Sequence, residues 1–498
     1  MGPRVGVSQL SFTEGDLVEH IVARRGFLRS ALSATTLAAL APIGCAGSLR
    51  RQPNIVLVFI DDMGWGDLGC FGNTEAATPN IDRMAAEGVA FEQFYVNSPI
   101  CSPSRTAIST GMYPQRWRIR SYLASREAND RRGQANWLDP SAPMLARSLR
   151  QAGYATGHFG KWHMGGQRDV VDAPPISEYG FDASLTNFEG MGPKLLPLTQ
   201  KPDGTVGRIW GDGEKLGGPV RWMQRSRITS GFVDAAVAFM NSAQREGKPF
   251  YVNLWPDDVH LPFWPPIDKW GDGSKDDRYR GVLEAMDRQL GALFDYVRTT
   301  EDLRDNTLFL ICSDNGPYRE GPGPLRGRKA HLFEGGIRSP LIVWGPGLMS
   351  RGVAGTRNSR SVFSAIDLVP SLLKLGGAER APDARYDGEE LLGVVLGRSQ
   401  ASRTEPIFFA RPPDLGKHLP DLAVRHRQWK LLCEYDGSEP QLYNVVEDPG
   451  ESRNRADTHQ AVVRELTARL LRWRQTLPVV DGETNQQIDT NLSRNGVL

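Results

Sequence analysis

Neither sign of charge is in excess: 59 lysines and arginines face 58 aspartates and glutamates over 498 residues, a formal net charge of +1. A chain so balanced has no long-range field to draw it to nucleic acid or to an acidic membrane, so any anionic substrate must be recognised locally. Cysteine is scarce as well. Cys45, Cys70, Cys101, Cys312 and Cys433 lie far apart and without metal-type spacing, which argues against a disulfide framework, and a chain of this length builds its core without one. Internal repeats are missing too. What remains is an ordinary globular composition, 40% apolar and 9% aromatic, long enough for one large domain plus a smaller one.

The N-terminus reads as a targeting segment. Arg24-Arg25-Gly26-Phe27-Leu28-Arg29 precedes the small and apolar run Ala31 to Ile43, which is too short to span a bilayer but long enough for a signal core. The order resembles a bacterial twin-arginine export signal; the alternative is a short amphipathic helix with two surface arginines. Residues 1–50 are therefore expected to be a leader, and the protein to be exported, periplasmic or extracellular. Gly44-Cys45 is a candidate lipoprotein cleavage site, with Pro42 standing where leucine is usual.

From Asn54 onward, β-rich apolar runs alternate with segments of helical period, the pattern of an α/β fold with a mostly parallel mixed sheet sandwiched by helices. Asn54 to Ile60 is the first buried strand. Thr78-Pro79-Asn80 opens a helix that Gly88 ends, and a second helix around Met144 to Leu149 precedes a strand from Tyr154 to Phe159. Phe232, Ala236 and Phe239 mark a helix before the strand Phe250 to Leu254. Val282, Met286, Leu290 and Leu293 mark another before Thr307 to Cys312. Gly190 to Arg227, rich in Gly, Pro and Trp, is expected to be a surface excursion. After about Ala401 the runs shorten: Pro406 to Ala410, Leu422 to Arg425, Lys430 to Cys433 and Gln441 to Tyr443, then a helix with Val462, Leu466, Leu470 and Trp473. This divides the chain into 51–400, a smaller C-terminal α+β subdomain with an antiparallel sheet over 401–482, and a polar tail over 483–498.

Asp61-Asp62 directly follows the first strand, and Asp314-Asn315 follows the strand ending at Ser313. Carboxyl ends of strands are where ligands gather in open α/β sheets, and three carboxylates with one amide oxygen are the hard donors that Ca2+ or Mg2+ prefers. Either pair alone would read as turn formers. Cys101-Ser102-Pro103-Ser104-Arg105 is the centre of the argument: Ser102 as cap and Pro103 in the first turn set Cys101 at the positive end of a helix running toward Thr110.

Cys-x-Pro-Ser-Arg, continued through Thr106-Ala107 to Thr110-Gly111-Met112-Tyr113-Pro114, resembles the signature of the formylglycine-dependent sulfatases, of the arylsulfatase and glycan-sulfatase kind. The similarity runs from about Pro53 to Asn454 and implies an alkaline-phosphatase-like fold. It also implies that Cys101 is oxidised to formylglycine by a maturation enzyme, with one Ca2+ or Mg2+ held by Asp61, Asp62, residue 101, Asp314 and Asn315. Gly160-Lys161-Trp162-His163 matches a family block in which Lys161 contacts sulfate and His163 the formylglycine hydrate. Val259-His260-Leu261-Pro262 carries over His260 as a sulfate-site or leaving-group contact. Arg326-Gly327-Arg328-Lys329, with Glu334-Gly335-Gly336-Ile337-Arg338, is similar to the block supplying a second sulfate-binding lysine, Lys329. Arg105 is expected to neutralise charge on the hydrate. Two departures, Trp255-Pro256-Asp257-Asp258 and Arg328, are expected to reshape the entrance.

On this resemblance one hydroxyl of the hydrate attacks sulfur, His260 or Lys329 assists the leaving alcohol, and His163 helps the second hydroxyl expel sulfate. The rivals are a phosphate or phosphonate monoester hydrolase of the same superfamily and a non-catalytic glycan binder. The substrate is expected to be a sulfated small molecule or glycan, with Trp210, Trp222, Trp255 and Trp264 as sugar platforms or core packing. Oligomeric state has no signature in the sequence.

Overall fold

The computed structural model describes residues 51–187, 189, 192–216, 218–411 and 419–478. The leader over 1–50, with Cys45, and the tail over 483–498 lie outside the described residues. A twelve-stranded sheet contains β1 (Asn54–Ile60), β2 (Val89–Tyr95), β3 (Ala155–Gly160), β4 (Ala183–Thr186), β5 (Lys194–Gln200), β6 (Val206–Arg208), β7 (Val220–Gln224), β8 (Phe250–Trp255), β9 (Thr307–Ser313), β10 (Arg338–Trp344), β11 (Thr356–Asn358) and β12 (Phe363–Ser364). The order is β11-β2-β10-β9-β1-β8-β3-β4-β5-β6, with β12 on β2 and β7 on β5. Pairing is parallel except where β10 meets β2 and β9 and where β6 meets β5.

The central strands read as unbroken apolar runs because helices cover both faces. In β1, Ile55, Leu57 and Phe59 face one core with Leu145, Leu149, Leu368 and Leu372. Val56, Val58 and Ile60 face the other, with Phe232, Ala236, Met240, Met286 and Leu290. The helices that close this second face are Ile228–Arg245 and Lys275–Thr299.

A second sheet is an antiparallel meander of β13 (Ile407–Ala410), β14 (Leu422–His426), β15 (Trp429–Cys433) and β16 (Gln441–Asn444). Its Leu422, Val424, Leu431 and Leu442 pack with Leu466, Leu470 and Trp473 of the helix Gln460–Gln475. The opposite face, through Ala423, Leu432 and Tyr443, packs with Tyr95, Phe333 and Ile337. The small sheet thus backs the segment that leads into β10.

Two expectations are corrected. The stretch Gly190 to Arg227 is not an irregular excursion where it is described: β5, β6 and β7 extend the main sheet. A composition rich in Gly, Pro and Trp hid these strands; in β5, Pro197 lies opposite Met223 of β7. Ser102 is not a cap. The helix Cys101–Thr110 begins at the cysteine itself, Ile100 is the cap residue, and the Ser102 hydroxyl instead accepts from Leu123 N at 2.9 Å.

Candidate active site

Topology concentrates the expected residues at one edge. β9, β1, β8 and β3 are neighbours and parallel, with Ile60 opposite Ser313 and Gly160 opposite Trp255. Their carboxyl ends therefore deliver Asp61, Asp62, Asp314, Asn315, Lys161, His163 and the turn to His260 to the same rim. β10 runs the other way, so the segment that precedes it brings Lys329 there too. Gly160 shows why that position carries no side chain: its φ is +121°, and a Cβ would come within 2.1 Å of the Trp255 carbonyl oxygen. Without that turn Lys161 would not reach the rim.

The centre is a buried ionic cluster. Asp61, Asp62, Cys101 and Asp314 each offer a ligand atom, and these all lie within 4.8 Å of one another. Asp62 sits at φ +61°, and its N–H donates to Asp314 Oδ1 at 3.0 Å. The Arg105 guanidinium, wholly buried beside the Trp255 ring at 5.1 Å, donates to Asp314 Oδ2 at 2.9 Å and to the Lys161 carbonyl at 2.8 Å, and pairs with Asp61 at 3.4 Å. Lys161 Nζ donates to Asp61 Oδ2 at 2.6 Å. Lys329 Nζ donates to Asp62 Oδ1 at 2.6 Å and lies 3.4 Å from Cys101 Sγ. Three carboxylates thus meet three permanent cations, which is what makes their burial tolerable.

Burial alone would keep Asp61 protonated, yet Lys161, Arg105 and Lys329 hold its carboxyl well below the usual range. Asp314 goes the opposite way, to about 7, because burial and the neighbouring Asp61 charge outweigh Arg105. The Cys101 thiol is pushed up by burial and then by Asp61, so the encoded side chain is a poor thiolate nucleophile. His260, 3.8 Å from Asp62 Oδ2, is lowered to about 4 by burial and by Lys161 and Lys329, and His163 is lowered by burial. Both rings are neutral near pH 7.

The cluster's donors fit a hard divalent cation. Asn315 donates its amide to Asp62 Oδ1 at 2.8 Å, while its Oδ1 is buried and has no hydrogen-bond partner among the described residues. A buried carbonyl oxygen beside three carboxylates is a ligand set of the oxygen type.

Every residue expected at the site reaches this rim, although His163 takes an indirect position. Its φ is +54°, its Nε2 is 3.2 Å from the Leu123 carbonyl, and its N–H donates to Glu189. Glu189 is a member that sequence reasoning missed. Its carboxyl is raised to about 7, first by burial, and no spacing in its neighbourhood marks it. Asp257 and Asp258 do not shape the entrance as expected. They are buried, Asp257 holding Arg225 at 2.7 Å and Asn187 at 2.8 Å and Asp258 accepting from Thr229. Trp255 is 0% exposed and cannot be a sugar platform.

Known proteins resemble this chain over most of its length. The sulfatase family model matches residues 53–378. N-acetylgalactosamine-6-sulfatase of Canis lupus familiaris is 33% identical over 389 residues, covering 74% of this chain and 70% of its own. N-acetylgalactosamine-6-O-sulfatase of Bacteroides thetaiotaomicron is 30% identical over 505 residues, covering 84% and 93%. Among solved structures, that of Ps i-CgsB in complex with k-i-k-neocarrahexaose superposes with a TM-score of 0.71 at 27% identity, covering 89% of this chain and 98% of its own.

Proposed function

The chain belongs to the sulfatase family and is a sulfuric ester hydrolase, and from that premise we propose that it desulfates a sulfated glycan with formylglycine at position 101 and Ca2+ as its metal. The observation that carries this reading is the position of Cys101. It is the first residue of a buried helix, 4.0 Å from Asp62 Oδ1 and within reach of Lys329, in a cluster whose only sulfur is not ionised.

A formylglycine hydrate at residue 101 supplies two hydroxyls, one to attack sulfur and one to drive release of sulfate. Ca2+ held by Asp61, Asp62, Asp314, Asn315 and residue 101 supplies Lewis acidity and a template for the ester. The chain's own groups do the rest. Lys161 and Lys329, kept as ammonium ions by Asp61 and Asp62, offset charge on the sulfate oxygens. Arg105 fixes Asp61, Asp314 and the Lys161 backbone in one arrangement. His260 and Lys329 are the candidate proton donors to the leaving alcohol, and Lys329 is the one that holds a proton at neutral pH. When His163 Nε2 donates to Leu123 O, its Nδ1 carries the lone pair and is the base for the second hydroxyl.

The glycan reading is supported by the relatives' names, two of them N-acetylgalactosamine-6-sulfatases and one a protein held with a neocarrahexaose. The remaining readings complete the proposal. Residues 1–50 are a twin-arginine leader exporting the protein to the periplasm or beyond, with Cys45 as the lipidated residue if cleavage occurs there. A formylglycine-generating enzyme is the maturation partner. Residues 51–400 are the catalytic domain and 401–482 the C-terminal subdomain. Parallel assays of sulfated and phosphorylated forms of the same sugars test the activity. Sulfate release lost in Cys101→Ala supports it, and phosphate release alone refutes it.

A further inference from the structure

A cavity of about 470 Å³ is lined by none of the cluster residues. Its wall is built by Gln200 at the end of β5, Gln224 at the end of β7, Arg225 and Arg227 before the helix Ile228–Arg245, Trp264, and Arg288 of the helix Lys275–Thr299. Among the described residues no aspartate or glutamate lines it, whereas three arginines do.

The arginines are not equivalent. Arg225 is buried and committed to Asp257, donating to its carboxylate at 2.7 Å and to its carbonyl. Arg227 and Arg288 are exposed, and among the described residues neither forms an ion pair. Glu284, which feels the charge of Arg288, is itself paired with Lys269 at 2.6 Å. The half-buried Trp264 contributes an aromatic ring, its indole N–H being buried. Guanidinium groups, amides and an indole in a cavity of this size match a hydroxyl-rich ring that bears an anionic substituent.

The cavity is also tied to the catalytic rim. Asp257, held by Arg225, accepts from His260 N at 3.1 Å. Trp264 follows His260 by four residues, so their Cα atoms are at most ~14 Å apart, within the reach of a short oligosaccharide.

We propose that this cavity is a subsite for an anionic saccharide unit flanking the one whose sulfate ester is cleaved, with Arg227 and Arg288 as its charge-reading residues. The inference rests on the sulfated-glycan reading, and the test separates the two. Binding of sulfated tetrasaccharides of galactosaminoglycan, glucosaminoglycan and galactan type is measured by calorimetry on the full chain, in a Cys101→Ala background that prevents turnover. Inorganic sulfate and an unsulfated tetrasaccharide are separate arms. The Arg227→Ala/Arg288→Ala double variant, with Arg288→Gln as a milder one, should weaken the best tetrasaccharide by about tenfold, the scale of losing charge-assisted hydrogen bonds. The same substitutions in the active chain should leave kcat/KM for a monosaccharide sulfate unchanged and raise KM for the tetrasaccharide.

The subsite is overturned by no tetrasaccharide binding to the parent, by equal binding to parent and double variant, or by equal weakening of the unsulfated probe. Inorganic sulfate matching the tetrasaccharide in affinity and in response to the substitutions shows a simple anion site and also overturns it. Failure of the active chain to release sulfate from any ester refutes the sulfatase reading alone, because calorimetry still decides the subsite.

Discussion

Lys329 Nζ bridges Asp62, at 2.6 and 2.8 Å to its two oxygens, and the sulfur of Cys101, at 3.4 Å. One ammonium group, 228 positions from Cys101 in sequence, thus joins that cysteine to the carboxylate of a strand end. Its ammonium form is favoured despite burial, because the Asp62 and then the Asp61 carboxylates stabilise the charge.

Replacing Lys329 by Ala removes that charge from the reacting group. Loss of one preorganised stabilising donor commonly costs about 10²–10³ in kcat, and that is the expected fall here. Lys161→Ala should show a fall of the same order, and the double variant less than the product of the two, since both act on one charge. Steady-state kinetics with a monosaccharide sulfate checks both. A Lys329→Ala variant with parental kcat would place the lysine outside the reaction.

Chelation should abolish activity and lower thermal stability together. The carboxylates of Asp61, Asp62 and Asp314 crowd within a few ångströms, and a bound cation stabilises the folded chain by about 2.7 kcal/mol at a hundred times its dissociation constant. Ca2+ titrated into the chelated protein should raise the melting temperature and restore turnover. Restoration by Mg2+ and not by Ca2+ would identify the ion as Mg2+, and full activity in the chelated protein would remove the metal from the account.

A pH effect is expected outside the Asp61, Asp62 and Asp314 cluster. Glu334 and Glu451 share one buried cation, Lys430 Nζ, at 3.2 and 2.9 Å, so the two carboxylates do not ionise equally. Burial and the Glu334 charge raise Glu451 from 4.5 to about 7 despite Lys430. The folded chain therefore holds a proton that the unfolded chain has lost between these values, and stability falls as pH rises through that window. Denaturant unfolding at pH 5 and pH 7 should show this fall in the parent. Glu451→Gln should be flatter over the same range; an unchanged slope would show that Glu451 titrates elsewhere.

The sequence disclosed most of the site because its motifs sit at strand ends. Once β1, β3 and β9 are recognised as parallel strands, Asp61, Lys161 and Asp314 share an edge without further information. Short range hid the rest. Ser102 looked like a cap, but a tertiary bond to Leu123 N claims its hydroxyl. Glu189 meets His163 across 26 residues through a contact that no periodicity encodes. The Asp257–Arg225 pair reads in sequence as an acidic turn and an unrelated arginine, and it takes the sheet order β8-β3-β4-β5, with β7 on β5, to place both segments in one sheet. The richness of the Gly190 to Arg227 stretch in Gly, Pro and Trp concealed its strands, which show only once β5, β6 and β7 are paired.

The central claim is that the thiol of residue 101 is a precursor. Mass spectrometry of the peptide containing that residue, taken from protein that releases sulfate from an ester, tests it most directly. The account predicts an aldehyde or its hydrate at position 101, in a fraction that tracks specific activity across preparations. Full activity in protein whose residue 101 is entirely an unmodified cysteine would contradict it.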